Sequence, residues 1–447
     1  MATTITEAAA LIRAGQTTAA ELVERCLDSI ARRDRQLNAF IKVSADDARA
    51  AARRADALIA AGHSVGPLHG VPVSVKDLLD LAGCATTAAS RVRRHHLATT
   101  DAPVLARLRQ AGAIFIGKCN LHEFAFGTTG EESAFGPTRN PHAPGHMSGG
   151  SSSGSAVSVA AGMAFASIGT DTGGSIRIPA AACGVVGLKP TLGELSCEGI
   201  VPLARTLDHV GPIGLTVDDV ALVYRAMQDG RSARVTGRDG LGSVRLGVPR
   251  RYFLDVIDPD VGTVFHSTVE RLRAAGCIID QVDIPHAQEI AVAYRNTQLF
   301  EAAAAHAETL ATRPTDYSPA VRHRLEMGRS VRVEDYEQAQ RTRKTLRREV
   351  DAALDTRQAL ILPTLPIPAP PSGTERITLG DTTEDLRVVM LRLTQLFNLT
   401  GHPAISIPCG TTGAGLPCGA QLVGRRGQTP ELTELAAAYE HTIRGHC

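Results

Sequence analysis

Three lysines of this chain lie where an amine could act as a base. Only five of the 47 basic residues are lysines, and Lys76, Lys118 and Lys189 each end a short apolar run. Burial of an amine disfavours its charged form and lowers its pKa, so such a lysine can accept a proton. Arginine keeps its proton and cannot serve as a base.

Lys76, which closes the run VPVSVK, is the clearest candidate base. Asp77 follows it and would stabilise the charged amine if the two side chains met. Successive side chains of a strand face opposite sides of the sheet, so they need not meet. On these residues alone two interpretations stay open: Lys76 is a catalytic base, or it is a strand-end lysine paired with Asp77.

Two segments rich in glycine and serine could supply a nucleophile. They read HMSGGSSSGS over residues 146–155 and GTDTGGSIRI over residues 169–178. Neither has the lysine of a P-loop or the pattern G-x-G-x-x-G, which excludes both kinds of phosphate cradle. Ser175 is not in a G-x-S-x-G elbow, and the chain contains no S-x-x-K pair. A serine in such a glycine-rich turn can still be a nucleophile if a base reaches it.

The surrounding sequence alternates short apolar runs with helical patterns, which predicts an α/β fold with a mostly parallel or mixed sheet covered by helices. The predicted strands are Val71–Lys76, Ala113–Gly117, Ala164–Gly169 and Val185–Lys189. The predicted helices of this half are Thr17–Arg33, Ser44–Ala61, Ala102–Ala111 and Gly154–Ala161.

The second half repeats this alternation after one polar, glycine-rich segment. Residues 228–243 are the best linker candidate, but a strand resumes at Val244–Val248, so the segment joins two halves of one sheet. Long helices are predicted over Ala287–Ala311 and Glu334–Leu354. We therefore predict one domain over residues 1–447, made of a helical segment (about 1–65), a core (about 66–227) and a second half (about 244–447).

Composition narrows the classes of function. A formal charge of +1 and a pI of 7.7 exclude the broad basic face that nucleic-acid binding requires. The start of the chain does not resemble a signal peptide, and the longest apolar run is too short to span a membrane. Nine cysteines without a C-x-x-C pair fit reduced thiols in the cytoplasm. The histidines and cysteines form no metal-binding pattern, so we predict neither a metal nor a cofactor.

Three motifs together resemble the amidase signature family of serine hydrolases. They are Lys76-Asp77, GGSSSGSA over residues 149–156 and GTDTGGSIRIPAAACGVVGLKPT over residues 169–191, with a step of 24 residues from Ser151 to Ser175. LDHVGPI over residues 207–213 and NLTGHPAISIPCG over residues 398–410 extend the likeness over nearly the whole chain. The resemblance implies a single α/β/α domain around a mixed sheet and a catalytic triad of Ser, cis-Ser and Lys.

The resemblance also implies a role for each matching residue. Ser175 would be the nucleophile, Ser151 the relay serine after a cis Gly150–Ser151 bond, and Lys76 the terminal base. The amides of the turn before Ser175 would form an oxyanion hole. The remaining implied residues are Thr172, Gly173 and Gly174 in that hole, Ser152, Asp171 and Arg177 in support, and Gly127, Thr128 and Thr129 against the substrate.

The family implies hydrolysis of C–N bonds through an acyl- or carbamoyl-enzyme on Ser175. The resemblance implies amides or carbamates (urethanes), with esters as side substrates. Few aromatic residues and mixed charge over residues 299–327 and 373–394 indicate that the substrate is small to medium and neutral, aryl compounds included. We expect a monomer or homodimer.

One alternative is the glutaminase subunit of a tRNA-dependent amidotransferase. Arg343 matches the position that holds the glutamine carboxylate in such subunits, which favours this alternative. Residues 388–398 contain no acid to meet the glutamine ammonium, which disfavours it. A second alternative is a binding protein without catalysis, which the complete triad disfavours.

Overall fold

The fold is built from thirteen short strands and fifteen α-helices in the part of the chain that a computed structural model describes, residues 4–63, 66–228 and 240–444. The strands are β1 (Phe40–Val43), β2 (Pro72–Lys76), β3 (Ile114–Cys119), β4 (Ala166–Asp171), β5 (Val186–Lys189), β6 (His209–Gly214), β7 (Arg245–Pro249), β8 (Ile278–Val282), β9 (Ala359–Pro363), β10 (Arg376–Leu379), β11 (Thr382–Asp385), β12 (Ala404–Thr411) and β13 (Pro417–Val423). The helices are α1 (Ile5–Arg13), α2 (Ala19–Leu37), α3 (Ala45–Ala60), α4 (Pro103–Gln110), α5 (Ser153–Ala160), α6 (Arg177–Cys183), α7 (Val217–Met227), α8 (Pro259–Ala274), α9 (Ile290–Ala305), α10 (Ala307–Thr312), α11 (Pro319–Arg329), α12 (Val333–Leu354), α13 (Leu386–Leu391), α14 (Gln395–Thr400) and α15 (Thr429–Arg444).

Eleven of these strands form one mixed sheet, which confirms the predicted fold class. Their order is β1-β3-β2-β4-β6-β5-β12-β13-β9-β7-β8, and β10 and β11 form a separate hairpin. The pairs β3-β2, β2-β4, β9-β7 and β7-β8 are parallel, and the other pairs are antiparallel. Both halves of the chain contribute to the sheet, so one domain contains them.

The strands that carry the sequence motifs are buried on both faces. Every residue of β2, β3 and β4 is buried, which is why they read as continuous apolar runs. Because β2 and β4 are parallel neighbours, their carboxyl ends meet at one edge of the sheet. Helix α5 packs against both strands. The start of α5 and the ends of β2 and β4 are therefore brought together.

Most predicted elements agree with the structure to within a few residues, with one error in the second half. The helix predicted over Ala287–Ala311 is wrong as a continuous element, because α9 ends before His306 and α10 begins after it. Residues 229–239 of the predicted linker lie outside the described residues. No helix of the described ranges has both the length and the apolar character to cross a membrane.

Candidate active site

The amine of Lys76 lies at the centre of a buried cluster of hydroxyl groups. Lys76 is the last residue of β2 and is fully buried. Its Nζ lies 2.8 Å from Ser151 Oγ, 2.9 Å from Ser152 Oγ and 2.7 Å from Thr170 Oγ1. A neutral amine has two hydrogens and one lone pair, which matches three hydroxyl neighbours.

The surroundings of Lys76 favour this neutral form. Burial lowers the pKa of Lys76 well below its usual value, and the more distant charges of Asp171 and Asp208 oppose this only in part. Asp77 turns away and forms a buried ion pair with Lys118, with Nζ and Oδ1 2.8 Å apart. The pairing of Lys76 with Asp77, which the sequence left open, is therefore not formed.

Ser151 and Ser152 are held at the start of α5 by a tightly packed turn. The peptide bond between Gly150 and Ser151 is cis. A Cβ at Gly150 would lie 2.9 Å from Gly130 N and 3.1 Å from the carbonyl carbon of Thr128, so only glycine fits. Ser152 N donates to the carbonyl oxygen of Ser175 over 3.1 Å, which ties this turn to the second motif.

The turn that carries Ser175 follows directly from β4. The backbone N–H groups of residues 172–175 donate no hydrogen bond to any acceptor in the described part of the chain. Gly174 has φ +140°, a conformation that other residues rarely adopt, and a Cβ there would overlap Thr394. Such a turn leaves several backbone donors free, and free donors of this kind can bind a negatively charged oxygen.

A buried ion pair fastens this turn to the sheet. Arg177 Nη2 lies 2.9 Å from Asp171 Oδ1, and both side chains are fully buried. Asp171 Oδ2 also accepts from Ile176 N over 3.0 Å. Arg177 also donates to two amide side chains, to Asn398 Oδ1 over 2.7 Å and to Gln421 Oε1 over 3.1 Å. Asp171 and Arg177, two of the three residues predicted in support, thus connect the turn to strand β4.

The predicted substrate-contact segment also lies at this site. Gly127 packs against the ring of His122, where a Cβ would overlap the ring atoms. Thr128 is buried, and its Oγ1 has no hydrogen-bond partner among the described residues. Thr129 Oγ1 accepts from Glu131 N over 3.3 Å. The structure therefore brings Thr128 and Thr129 beside Gly150, where a Cβ would lie 3.1 and 3.2 Å from their backbone atoms, and Gly127 precedes them against His122.

Sequence reasoning missed three residues of this site. Thr170 contacts Lys76, Asp208 accepts from the Thr172 hydroxyl over 2.6 Å, and the Tyr294 hydroxyl packs on Gly173. Thr170 could have been found, because parallel pairing of β2 with β4 brings it near Lys76. Tyr294 lies on α9, and no local pattern connects that helix with the turn.

The guanidinium group of Arg343 forms hydrogen bonds within the protein. Arg343 is buried, and its guanidinium donates to the carbonyl oxygen of Leu399 and, over 2.6 Å, to that of Thr206. Its donors therefore hold two backbone segments together.

A cavity of about 390 Å³ adjoins the site. Thr170 and Thr172 form one side of it, and Ile200, Val201 and Leu203 form another. The mixed lining suits a small organic molecule with polar and apolar parts. In the described ranges no three His, Cys, Asp or Glu side chains are grouped so that they could hold a metal ion.

A buried amine beside two serine hydroxyls, next to a turn with free amides, is an arrangement that can support hydrolysis of carbonyl compounds. The family model described as Amidase matches residues 21–432, so the chain belongs to the amidase (amidase signature) family.

Relatives and solved structures agree with this assignment. An amidase of Pseudomonas putida is 40% identical, covering 99% of this chain and 96% of its own length. A glutamyl-tRNA(Gln) amidotransferase subunit of Chloroflexus aurantiacus is 36% identical, over 99% of this chain and 97% of its own length.

Three solved structures extend the likeness. A crystal structure of an amidase has a TM-score of 0.94 at 36% identity, covering 98% of this chain and 100% of that one. The peptide amidase from Stenotrophomonas maltophilia has a TM-score of 0.83 at 30% identity, covering 99% and 97%. A bacterial aryl acylamidase has a TM-score of 0.88 at 25% identity, covering 98% and 96%. The chain is thus an amidase by family and fold.

Proposed function

We propose that this enzyme hydrolyses the C–N bond of amides with Ser175 as nucleophile, Ser151 as relay and Lys76 as base. The observation that carries the proposal is the fully buried Lys76 amine 2.8 Å from Ser151 Oγ. Because burial lowers its pKa well below the usual lysine value, this amine can be neutral and accept a proton where a free lysine would be charged. The hydrogen bond from Ser152 N to the Ser175 carbonyl holds the two serine segments side by side.

In this mechanism two protons move in sequence as Ser175 attacks the substrate. Ser175 Oγ bonds to the carbonyl carbon, its proton passes to Ser151 Oγ, and the Ser151 proton passes to Lys76 Nζ. The carbonyl oxygen becomes negative in the tetrahedral intermediate. When this intermediate collapses, the C–N bond breaks. Lys76 returns its proton to Ser151 Oγ, and the Ser151 proton passes to the departing nitrogen. Water repeats the sequence on the acyl-enzyme, releases the acid and restores the neutral amine.

The oxyanion would be stabilised by the free N–H groups of Thr172, Gly173 and Gly174. One such donor is typically worth about 2.7 to 4 kcal/mol of transition-state energy. Ser152 would keep the Lys76 amine oriented, because its hydroxyl also donates to the Thr170 carbonyl oxygen over 3.1 Å. The segment 127–129 would frame the reacting carbonyl.

We propose small to medium amides as substrates, including aryl ones, with carbamates and esters as further substrates of the same acyl-transfer chemistry. The moderate cavity volume supports this size, and relatives named peptide amidase and aryl acylamidase support the amide bond. The second half, about residues 244–447, would supply the variable pocket elements. Action in the cytoplasm as a monomer or homodimer, without nucleic acid, remains part of this proposal.

A substrate panel tests the proposed reaction. Purified protein is incubated with a simple amide, a p-nitroanilide, an aryl carbamate and an aryl ester, and product is measured for wild type, Ser151→Ala and Ser153→Ala. Ser153 is a matched control, because its Oγ lies 3.2 Å from Thr138 Oγ1 and does not contact Lys76. We expect amide turnover that Ser151→Ala reduces at least 100-fold and Ser153→Ala does not. Equal loss in both variants would overturn the relay role.

A second candidate is the glutaminase subunit of a tRNA-dependent amidotransferase. The 36% identity with such a subunit favours it, whereas the donors of Arg343 are already taken up by backbone carbonyls. Glutamine is therefore supplied to the protein alone and together with the other amidotransferase subunits. Ammonia release that requires those subunits would support this candidate, and its absence in both reactions would exclude it.

A further inference from the structure

Two arginines from different helices converge on one aromatic ring beside the proposed active site. Arg324 lies on α11 and Arg387 on α13, and their guanidinium carbons lie 5.9 and 5.7 Å from the centre of the Phe126 ring. Like charges this close repel each other. Burial and the neighbouring charge of Arg387 lower the pKa of Arg324 to about 10. The charges of Glu132 and Asp385 offset this effect only in part.

No carboxylate of the described residues forms an ion pair with either guanidinium. Arg324 Nη1 donates to the Phe126 carbonyl oxygen over 2.8 Å, and Arg387 Nη2 donates to Gln298 Oε1 over 2.6 Å. Asp385, the acid that acts on both, uses Oδ1 to accept from the backbone N of Arg387 at the start of α13. These guanidinium hydrogen bonds of both arginines thus go to neutral acceptors, and the buried Nε of Arg387 has no acceptor among the described residues.

Two short chains of contacts connect this pair with the catalytic groups. On one side Gln298 Nε2 donates to Tyr294 Oη over 2.6 Å, and that hydroxyl packs on Gly173 of the proposed oxyanion hole. On the other side Phe126, which binds Arg324 through its carbonyl, precedes Gly127 of the substrate-contact segment. These contacts link the arginine pair to the proposed oxyanion hole on one side and to the substrate-contact segment on the other.

Several buried polar atoms near the arginine pair and the substrate-contact segment have no hydrogen-bond partner among the described residues. They are both ring nitrogens of His122, Thr128 Oγ1 and Arg387 Nε. Burial, with the charges of Arg324, Arg387 and Lys76, lowers the pKa of His122 well below its usual value, so the ring is neutral. Buried polar groups normally have partners, and such a cluster in a binding site indicates that a ligand supplies them.

We propose that Arg324 and Arg387 bind a negatively charged group of the substrate, so that the preferred substrate is an amide that also carries a carboxylate. A planar carboxylate matches the donor geometry of guanidinium groups and neutralises their mutual repulsion. This inference rests on the proposed function and replaces the neutral substrate that the sequence indicated. The charge requirement escaped sequence analysis because the two arginines are 63 residues apart and come together only in the fold.

Matched substrates that differ only in charge test this inference. Malonamate, succinamate and glutaramate each have an amide and a carboxylate, and propionamide, butyramide and valeramide have a methyl group in place of the carboxylate. Ammonia release gives kcat/KM for each pair. A charge-assisted hydrogen bond contributes about 1.5 to 3 kcal/mol, so we expect a ~10- to 100-fold preference for the charged member of at least one pair.

Arginine variants show whether the pair causes that preference. Arg324→Gln and Arg387→Gln should each lower the ratio of charged to neutral turnover at least tenfold, while Arg324→Lys and Arg387→Lys should retain more of it. Arg322→Gln is the matched control, because Arg322 lies on the same helix, is partly exposed and pairs with Glu326 at 3.6 Å. It should leave the ratio unchanged.

Two results would overturn the inference while leaving the proposed function intact. One is equal turnover of charged and neutral members in all three pairs, and the other is an unchanged ratio in both glutamine variants. If no amide is hydrolysed, the proposed function fails instead, and calorimetry on Ser175→Ala decides the binding question. Succinamate should then bind at least tenfold more tightly than butyramide, and equal binding would refute the anion site.

Discussion

Removal of Arg177 should expose the cost of leaving the Asp171 carboxylate buried without its partner. Both side chains are fully buried, and Arg177 Nη2 and Nε lie 2.9 and 3.1 Å from Asp171 oxygens. Truncation of one member of a buried ion pair typically costs about 3 to 5 kcal/mol. Arg177→Met should therefore reduce the free energy of unfolding by about 3 to 5 kcal/mol, or roughly 10²- to 10⁴-fold in the folding equilibrium.

The size of this loss should depend on pH. In the wild type, burial acts to raise the pKa of Asp171, but the Arg177 charge and its hydrogen bonds, with Lys189, outweigh it and hold the pKa well below its usual value. The stabilisation by ionised Asp171 is thus complete above the unfolded pKa of about 3.9 and is lost as pH falls through the folded pKa. Without Arg177, the burial of Asp171 dominates and its pKa in the folded protein rises. Protonation of Asp171 then removes the buried unpaired charge that destabilises the variant. The difference in free energy of unfolding between wild type and Arg177→Met should therefore become smaller as pH falls from 7 toward about 4.

Urea denaturation at several pH values measures these free energies. Asp171→Asn combined with Arg177→Met removes both charges and should recover at least about 1 kcal/mol relative to Arg177→Met alone. Arg332→Met is the control, because Arg332 pairs with Asp335 at 2.9 Å on an exposed surface, where a pair contributes about 0 to 1 kcal/mol. A loss below 1 kcal/mol for Arg177→Met, or no recovery in the double variant, would refute this reasoning.

Three further predictions concern catalysis. In the proposed mechanism the neutral amine of Lys76 is the active form, and its pKa is lowered. The kcat/KM should therefore be full above that pKa and fall as pH drops through it, and a pH–rate profile that rises toward acid would contradict this. Gly173→Ala would place a Cβ against the Tyr294 hydroxyl and should cut kcat about 10²- to 10³-fold. Gly145→Ala, whose new Cβ has no atom within 4 Å, should leave kcat unchanged. Equal steady-state rates of the two variants would argue against the oxyanion turn. Ser152→Ala removes one neighbour of Lys76 and should cost kcat about fivefold, in line with one hydrogen bond of about 1 kcal/mol; a loss as large as that of Lys76→Met would assign Ser152 a proton-transfer role.

The sequence was most informative where the chemistry lies in short, contiguous motifs. Lys76, Ser151 and Ser175 stand at strand ends and glycine-rich turns, and parallel pairing of neighbouring strands brings such ends together whatever the rest of the chain does. Local alternation allowed Asp77 to face away from Lys76 but left their pairing open, and only the structure shows that Asp77 pairs with Lys118.

The pocket could not be predicted in the same way. Arg324 and Arg387 lie on surface helices whose positions depend on packing between distant segments, and their side chains show no local pattern. The same limit explains the break at His306 within the predicted helix, since nothing in the alanine-rich segment marks it. Arg343 shows what a matched position leaves open, because only the structure shows that its guanidinium donates to the backbone carbonyls of Leu399 and Thr206.

Covalent labelling with a fluorophosphonate tests the central assignment most directly. Intact mass followed by peptide mapping should show one adduct per chain, on Ser175, and Lys76→Met should slow its formation at least 100-fold, since the base activates the nucleophile. No adduct, or an adduct on another residue, would contradict the account.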